Sequence, residues 1–244
     1  LWRAPTDNDG VGQGWMSEVK GVRIGWLRWG LDRLTSEVDS ITRRTRDGIE
    51  TVTLMRRLVG ADAEAAHRTK ITVVDGVATF AEQIVVPAEW HDLARVGVRF
   101  EVPGDLDQLT WFGPGPLETY PDRKASGIVS RWTSTIDEQF HPYVVPQEHG
   151  AHTDARWMSL TNERGRGIVV AGQRPMVLTA RADHDATLTA ASTLAELDPE
   201  PTIEVHVDSA VRGLGTAACG PDVLDRFVVG PGRHRFSWTI GAAR

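Results

Sequence analysis

Apolar and polar residues alternate with a period of two over much of the chain, and this pattern predicts β-strands. The alternation is clearest in residues 96–102, where Val96, Val98, Phe100 and Val102 fall on one face. Turn residues such as Gly, Pro, Asp and Asn separate the alternating segments. The other predicted strands are 51–54, 70–74, 77–86, 127–133, 157–161, 167–171, 176–182, 202–207 and 233–240.

A two-residue hairpin turn is predicted at Asp75-Gly76, between two β-branched runs. Asp-Gly favours this turn because both residues must adopt positive φ angles, which Gly and Asp tolerate best. With ten short strands and no helices alternating with them, the pattern favours one large antiparallel sandwich. We find no repeat or Gly/Ser linker that divides the chain, so residues 1–244 are predicted to form a single domain.

One segment, residues 17–30, has the period of a helix. Ser17 is of the residue type that caps a helix N-terminus, Val22, Trp26 and Trp29 recur at helical spacing, and Gly30 is suited to end the helix. We therefore predict one short helix near the N-terminus of an otherwise all-β chain.

Composition narrows the function classes. The 244 residues are 41% hydrophobic and 25% charged, with a net charge of −6, so the chain lacks the basic character of a nucleic-acid or anionic-membrane binder. No apolar run approaches the roughly 20 residues that span a bilayer. Cys219 is the single cysteine, so no intrachain disulfide forms, which fits a cytoplasmic protein. The chain begins at Leu1 without Met or a signal sequence, so we expect it to be a fragment of a longer polypeptide.

Residues 111–123 have the most unusual composition of the chain, reading WFGPGPLETYPDR. Its alternating Gly and Pro predict a rigid bend without regular strand pairing. Glu118, Asp122 and Arg123 follow the bend. They suit hydrogen bonds to sugar hydroxyls, but Asp122 and Arg123 equally suit charge-assisted bonds that pin a sharp loop. We favour the pinning role.

Three segments carry a resemblance to a known family. Residues 2–9 read WRAPTDND, residues 111–123 are quoted above, and residues 142–150 read PYVVPQEHG. Together they resemble the C-terminal domain of glycoside hydrolase family 2 β-galactosidases, also called the small chain, over essentially the whole sequence.

The resemblance implies a fold and a reaction. The fold is the large antiparallel β-supersandwich shared with galactose mutarotases, placed after a catalytic barrel domain. Such enzymes hydrolyse terminal β-D-galactosides with retention, using two glutamates about 5–5.5 Å apart. Those glutamates belong to the barrel, so the resemblance implies no catalytic residue and no cofactor in this chain. It also implies Mg²⁺ and Na⁺ for the full enzyme, a carbohydrate ligand and a homo-oligomer.

One loop of this family's domain borders the leaving-group side of the active site and in many members carries a tryptophan. The matching residues here are 213–222, which read GLGTAACGPD and lack the aromatic. Cys219, or Gly220 if the alignment shifts by one, takes its place as the substrate-adjacent residue. A lone cysteine is otherwise most often a buried small apolar residue, and we favour that interpretation.

Other polar clusters have weaker interpretations. Asp7-Asn8-Asp9 supplies oxygen ligands suited to Ca²⁺, but turn-forming bonds are commoner for such residues, and we predict no metal site in the chain. Glu148 and His149 are candidate sugar-binding residues, as are Glu118, Asp122 and Arg123.

Two alternative functions stay open. An aldose 1-epimerase needs a glutamate base and a histidine acid, which Glu148 with His152, His184 or His206 would supply. A free-standing carbohydrate-binding module needs an exposed pair of tryptophans, drawn from Trp90, Trp111, Trp132 and Trp157.

Overall fold

A computed structural model describes residues 1–10, 21–198 and 200–243. Two short helices are present in the described residues, α1 (Arg23–Trp29) and α2 (Asp185–Ala190). Besides short 3-10 turns, the described residues form eleven strands: β1 (Thr35–Arg46), β2 (Ile49–Val59), β3 (Glu64–Val74), β4 (Val77–Val86), β5 (Arg95–Pro103), β6 (Gln108–Gly115), β7 (Ile128–Thr135), β8 (Ala151–Thr161), β9 (Gly167–Arg181), β10 (Thr202–Val211) and β11 (Gly232–Ala242).

The strands pair antiparallel throughout the described residues. The main path runs β1-β2-β3-β4-β11-β9-β8-β6-β7, and β10 joins β9 to β5. Strand β9 is 15 residues long, and its first part pairs with β11 while its last part pairs with β10. The sheet branches at β9 and folds over itself, giving the predicted antiparallel sandwich.

Two apolar clusters fill the interior. The central core packs between the layers around Trp111, Leu160, Leu178 and Val205, all fully buried. The N-terminal core packs α1 against β4 and β5 and contains Trp26, Trp29, Trp90, Leu93 and Val96. Burying side chains of this size removes the most apolar surface from water per residue, so these two clusters stabilise the fold.

Much of the strand pattern is confirmed. Strand β4 has the predicted bounds, and β5 contains the predicted 96–102 segment. The hairpin forms at Asp75-Gly76, whose φ angles of 50° and 77° are both positive. The all-β class is therefore confirmed.

Helix α1 ends where predicted, at Gly30 in the left-handed conformation. Ser17, predicted as its N-cap, lies outside the described residues, and the described helix begins at Arg23 after Val22. Helix α2 was not expected. It has six residues, of which only Asp185 and Leu188 are buried, too few to produce a recognisable helical period.

Two strand predictions were wrong in detail. The segments 167–171 and 176–182 are one continuous strand, β9. Residues 111–115 were predicted to begin a bend without strand pairing, but they are the end of β6 and pair with β7. The pairing of β6 with β8 ends at Phe112, so Pro114 lies where one neighbouring strand no longer pairs and a missing N–H is tolerated.

Neither helix within the described ranges has the length and apolar character needed to cross a membrane.

Candidate functional site

The three segments that carried the family resemblance meet in space. The backbone N–H of Asp7 donates to the Gln147 side chain at 3.0 Å, and Glu148 N–H donates to the Ala4 carbonyl at 3.3 Å. Gly150 N–H donates to Glu118 Oε2 at 2.8 Å. Residues 2–9, 111–123 and 142–150 thus form one hydrogen-bonded unit, on which the 213–222 loop rests.

Asp122 holds the base of the 213–222 loop. Its two carboxylate oxygens accept the backbone N–H groups of Leu214 at 2.9 Å and Gly215 at 2.7 Å. A Cβ atom on Gly213 would lie 2.7 Å from Asp122 Cγ, so the carboxylate reaches the loop only because residue 213 is glycine. This arrangement agrees with the prediction that Asp122 pins a sharp loop.

Asn8 holds the same loop closer to its tip. Its Nδ2 donates to the Gly215 carbonyl at 2.9 Å, and its Oδ1 accepts from Ala218 N–H at 3.0 Å. Asn8 sits in a 3-10 turn whose neighbour Asp9 binds Arg3, and Arg3 also donates to the Arg212 carbonyl at 2.8 Å. The Asp7-Asn8-Asp9 run therefore serves turn formation and loop support.

The tip of the loop is open to solvent. Cys219 and Gly220 are both exposed, in a tight turn where the N–H groups of both donate to the Thr216 carbonyl. The interpretation of Cys219 as a buried apolar residue was therefore wrong, because the loop projects its tip away from both cores. The role of Cys219 and Gly220 beside a substrate stays a prediction.

A cleft of about 640 Å³ adjoins this tip. Gly220 and Asp222 line one side, and Trp29 of α1 with His91 lines another. The Trp29 and His91 rings meet edge to face at 4.8 Å. Sequence reasoning missed His91, which lies between strands and carries no motif.

Arg212 fixes the far end of the loop to the cleft. Its guanidinium donates to Asp92 at 2.8 Å and to Asp222 at 2.8 Å. Burial opposes the charge of Arg212, but the bonds from Asp92 and Asp222 raise its pKa above the ordinary value. Arg212 is 1% exposed although its two carboxylate partners face the cleft, so it acts as an internal anchor.

Glu118 and Arg123 pair with each other beside this unit. Glu118 Oε1 accepts from Arg123 and, at 3.0 Å, from the Tyr143 hydroxyl. Burial and the Glu118 charge raise the pKa of Tyr143. The Glu118 side chain is 14% exposed and bonded on both oxygens, so it braces three segments. Sugar binding by Glu118 and Arg123 stays a prediction.

Glu148 and His149 lie in the interior, each 2% exposed. Glu148 bridges Arg95 at 2.6 Å and Arg181 at 2.8 Å. Burial alone raises the pKa of Glu148, but the charges of Arg181 and Arg95 outweigh it and lower the pKa. Burial, helped by Arg181, lowers the pKa of His149 to about 4. Sugar binding by this pair stays a prediction that their burial does not favour.

Arg181 is the centre of a buried charge cluster. Its guanidinium binds Glu148, Asp185 and Glu204, and His206 lies 2.9 Å from Glu204. Within the described ranges, Asp185, Glu204 and His206 form a group with ligand atoms close enough for a metal ion. Arg181 already bonds both carboxylates, so it supplies the positive charge that a cation would bring and the group does not fit a metal.

Comparison with known proteins identifies the family. The family model described as "Beta galactosidase small chain" matches residues 1–240. The chain belongs to the β-galactosidase small-chain family.

Curated relatives agree with this membership. A β-galactosidase of Arthrobacter sp. (strain B7) is 31% identical over the whole of this chain and 26% of its own length. A β-galactosidase of Priestia megaterium is 28% identical over 88% of this chain and 20% of its own length. The small-chain domain thus spans about a quarter of the length of the relatives it matches.

Solved structures are similar at lower levels. A putative aldose 1-epimerase from Escherichia coli K12 is 8% identical over 83% of this chain and 68% of that chain, with a TM-score of 0.43. A likeness at this level supports no inference about the chemistry of the small-chain domain.

Proposed function

We propose that residues 1–244 act as one domain, the C-terminal domain of a retaining β-galactosidase that hydrolyses terminal β-D-galactosides. The 213–222 loop walls the mouth of the active site, and its tip at Cys219 and Gly220 faces the leaving-group sugar. Family membership supports this proposal, as do the β-galactosidase names of the relatives. The catalytic glutamates would lie in a barrel domain outside this chain.

The observation that carries the loop's role is the contrast between its two fixed ends and its exposed tip. Asp122 and Arg212 fix its base and its far end, while Cys219 and Gly220 at its tip are exposed beside the 640 Å³ cleft. Loops that contact ligands are commonly held by a rigid scaffold in this way. A cleft of this size is within the range for a small-molecule site.

The same family membership supports a proposal for the wider setting of the enzyme. We place the full enzyme in the cytoplasm as a homo-oligomer, with Mg²⁺ and Na⁺ held by its other domains. The exposed thiol of Cys219 is compatible with a reducing compartment.

The first test is an assay with a chromogenic aryl β-galactoside. The purified 244-residue chain is expected to release no aryl alcohol, whereas the full-length polypeptide that contains it is expected to release it steadily. Turnover by the short chain that survives repurification would place a working carboxylate pair within these residues. Absence of turnover by the full-length polypeptide would contradict the proposed activity.

The second test addresses the loop in the full-length polypeptide. Asn8→Ala removes two hydrogen bonds to the loop and is expected to raise KM for the galactoside about tenfold, because the tip loses its fixed position. Asn162→Ala is the matched control, since Asn162 also makes two backbone bonds but in a distant hairpin. Equal effects of both variants would contradict the role of the loop.

The aldose 1-epimerase alternative has one observation in its favour. Glu204 and His206 pair at 2.9 Å, and His206 lines a second cleft of about 500 Å³. Glu204 is fully buried, and although burial raises its pKa, the His206 bond and the Arg181 charge lower it strongly overall. A carboxylate held ionised so firmly is a weak base, so this alternative ranks second. Measuring the rate at which the chain accelerates galactose mutarotation tests it directly.

The carbohydrate-binding module alternative required an exposed tryptophan pair. Trp90 and Trp111 are fully buried. Trp132 and Trp157 are half-buried, but Trp132 pairs across the sheet with Trp111 and Trp157 pairs with Phe112, so they lie on opposite faces. These four tryptophans therefore offer no paired platform.

A further inference from the structure

The outer face of the sheet formed by β3, β4 and β11 carries a row of cations. Arg68 on β3 lies opposite Gln83 on β4, and Gln83 lies opposite Arg235 on β11. Neighbouring strands are about 4.8 Å apart, so the two arginine backbones are separated by about 10 Å. Lys70 follows Arg68 by two residues and shares its face.

Strand β9 closes this face into a groove of about 480 Å³. Arg174 lies on its wall, and Gln83 and Ser237 line it with hydrogen-bonding groups. Arg235 is oriented by a 3.0 Å bond from its Nε to Gln83 Oε1, which leaves its two terminal nitrogens available. The groove thus combines four cations with neutral polar side chains.

These cations are not neutralised by carboxylates. No hydrogen bond or ion pair joins the side chains of Arg68, Lys70 or Arg174 to another residue that the structure describes. Glu82 also lines the groove, but it is buried, and its carboxylate accepts from Thr69 at 2.7 Å and lies 2.8 Å from His67. Its charge is therefore turned to the interior of the sandwich.

On the neighbouring strand β2, a solvent-facing arginine is neutralised by carboxylates. Arg57 on β2, at a similarly solvent-facing position, contacts three carboxylates, those of Glu37, Asp39 and Glu64. In a chain of net charge −6, acidic partners are available, yet the carboxylate that lines the groove, Glu82, pairs with His67 and Thr69 instead of with these cations. Clustered unpaired cations repel one another, and this repulsion is relieved by an anionic ligand.

We propose that this groove is a binding site for a compact tetrahedral oxyanion, a sulfate or phosphate group, either free or as an ester on a sugar. Arginine side chains match the tetrahedral oxygens of such groups with paired N–H donors, and Lys70 adds a point charge. The volume of the groove suits an anion with a sugar attached. This site is separate from the proposed galactosidase mouth and does not depend on it.

Isothermal titration calorimetry of the 244-residue chain tests the proposal with four probes: sodium sulfate, sodium phosphate, galactose 6-sulfate and galactose. The charged probes are expected to bind, more weakly as ionic strength rises, and galactose is not. Stronger binding of galactose 6-sulfate than of sulfate identifies a sugar ester as the occupant, and the reverse order identifies a free anion. Equal binding of galactose and its sulfate, or no binding of any charged probe, would overturn the proposal.

Matched variants locate the site. Arg68→Gln and Arg174→Gln are each expected to weaken sulfate binding about tenfold, the effect of losing a charge-assisted contact. Arg44→Gln removes the same charge from an exposed position on β1 that does not line the groove, and it is expected to leave binding within about twofold. Equal losses in Arg68→Gln and Arg44→Gln would show a diffuse charge effect and overturn the site. Circular dichroism confirms that each variant is folded.

Discussion

Two groups of arginines in this chain differ in what surrounds them. Arg181, Arg95 and Arg212 are buried and each contacts carboxylates at short range. Arg68 and Arg174 are exposed and have no carboxylate partner in the described part of the chain. A buried charge without a partner costs several kcal/mol, whereas an exposed one costs little. The interior arginines are therefore committed to structure, and the groove arginines are available to a ligand.

The largest expected loss of stability comes from removing an interior arginine. Arg181→Met is expected to lower the free energy of unfolding by about 3–5 kcal/mol, because Glu148, Asp185 and Glu204 lose a shared cation in a dry environment. Urea denaturation measures the change. Arg44→Met is the control and is expected to shift stability by less than about 0.5 kcal/mol. Comparable losses of stability in Arg181→Met and Arg44→Met would contradict the distinction between buried and exposed arginines.

The buried histidines extend the comparison to the pH dependence of stability. Burial lowers the pKa of His149 to about 4 and that of His152 to about 3, from 6.5. Below pH 6.5 the unfolded chain therefore binds protons at these histidines while the folded chain still leaves them neutral. Stability is then full above pH 6.5 and falls as the pH drops below it, by about 2 kcal/mol between pH 7 and 5.5 for the two together. His152→Phe keeps the ring stacked on Trp111 and is expected to roughly halve this slope. An unchanged slope in that variant would contradict the assignment.

A smaller loss of stability is expected where a carboxylate binds backbone N–H groups rather than a charged side chain. Asp122→Ala leaves the N–H groups of Leu214 and Gly215 without their acceptor and is expected to cost about 1–3 kcal/mol. Hydrogen exchange of these two amides is expected to accelerate more than that of β10. Asp105→Ala, in an exposed turn, is the control and is expected to change neither quantity. Protection of both amides in Asp122→Ala would show that the carboxylate does not hold the loop.

The smallest effect on stability is expected in the groove. Arg68→Gln removes an exposed charge with no described partner, so the free energy of unfolding is expected to stay within about 0.5 kcal/mol of the parent or to rise slightly as repulsion is relieved. Thermal denaturation measures this, and the stabilisation that low millimolar sodium sulfate adds over sodium chloride of equal ionic strength reports specific binding. A large loss of stability would place Arg68 with the structural arginines.

The sheet was predictable from sequence because period-two alternation is a local signal. The Val96–Val98–Phe100–Val102 face and the Asp75-Gly76 hairpin both formed as expected. Helix α2 was missed because six residues give too short a pattern. Strand β1 was also missed, since all twelve of its residues are exposed and no alternation of burial shaped its sequence.

The candidate site was harder to predict. Asp122 was named from its motif, yet its partners Leu214 and Gly215 lie more than 90 residues away. His91 and Asp92 carry no local signal at all. The anion groove is set by strand register, which places Arg68 and Arg235 on either side of Gln83, and register is not readable from a single strand.

Arg3 bonds both to a residue close to it in the chain and to one far from it. Arg3 donates to the carbonyl of Arg212, 209 residues further along the chain, so synthesis reaches this acceptor long after it reaches Arg3. Contacts of such sequence separation form slowly. Asp9, only six residues away, also binds Arg3 and is made almost at the same time. We therefore expect Asp9 to pair with this guanidinium before the 213–222 loop reaches it, and the loop to close after residues 2–9 have formed their turn.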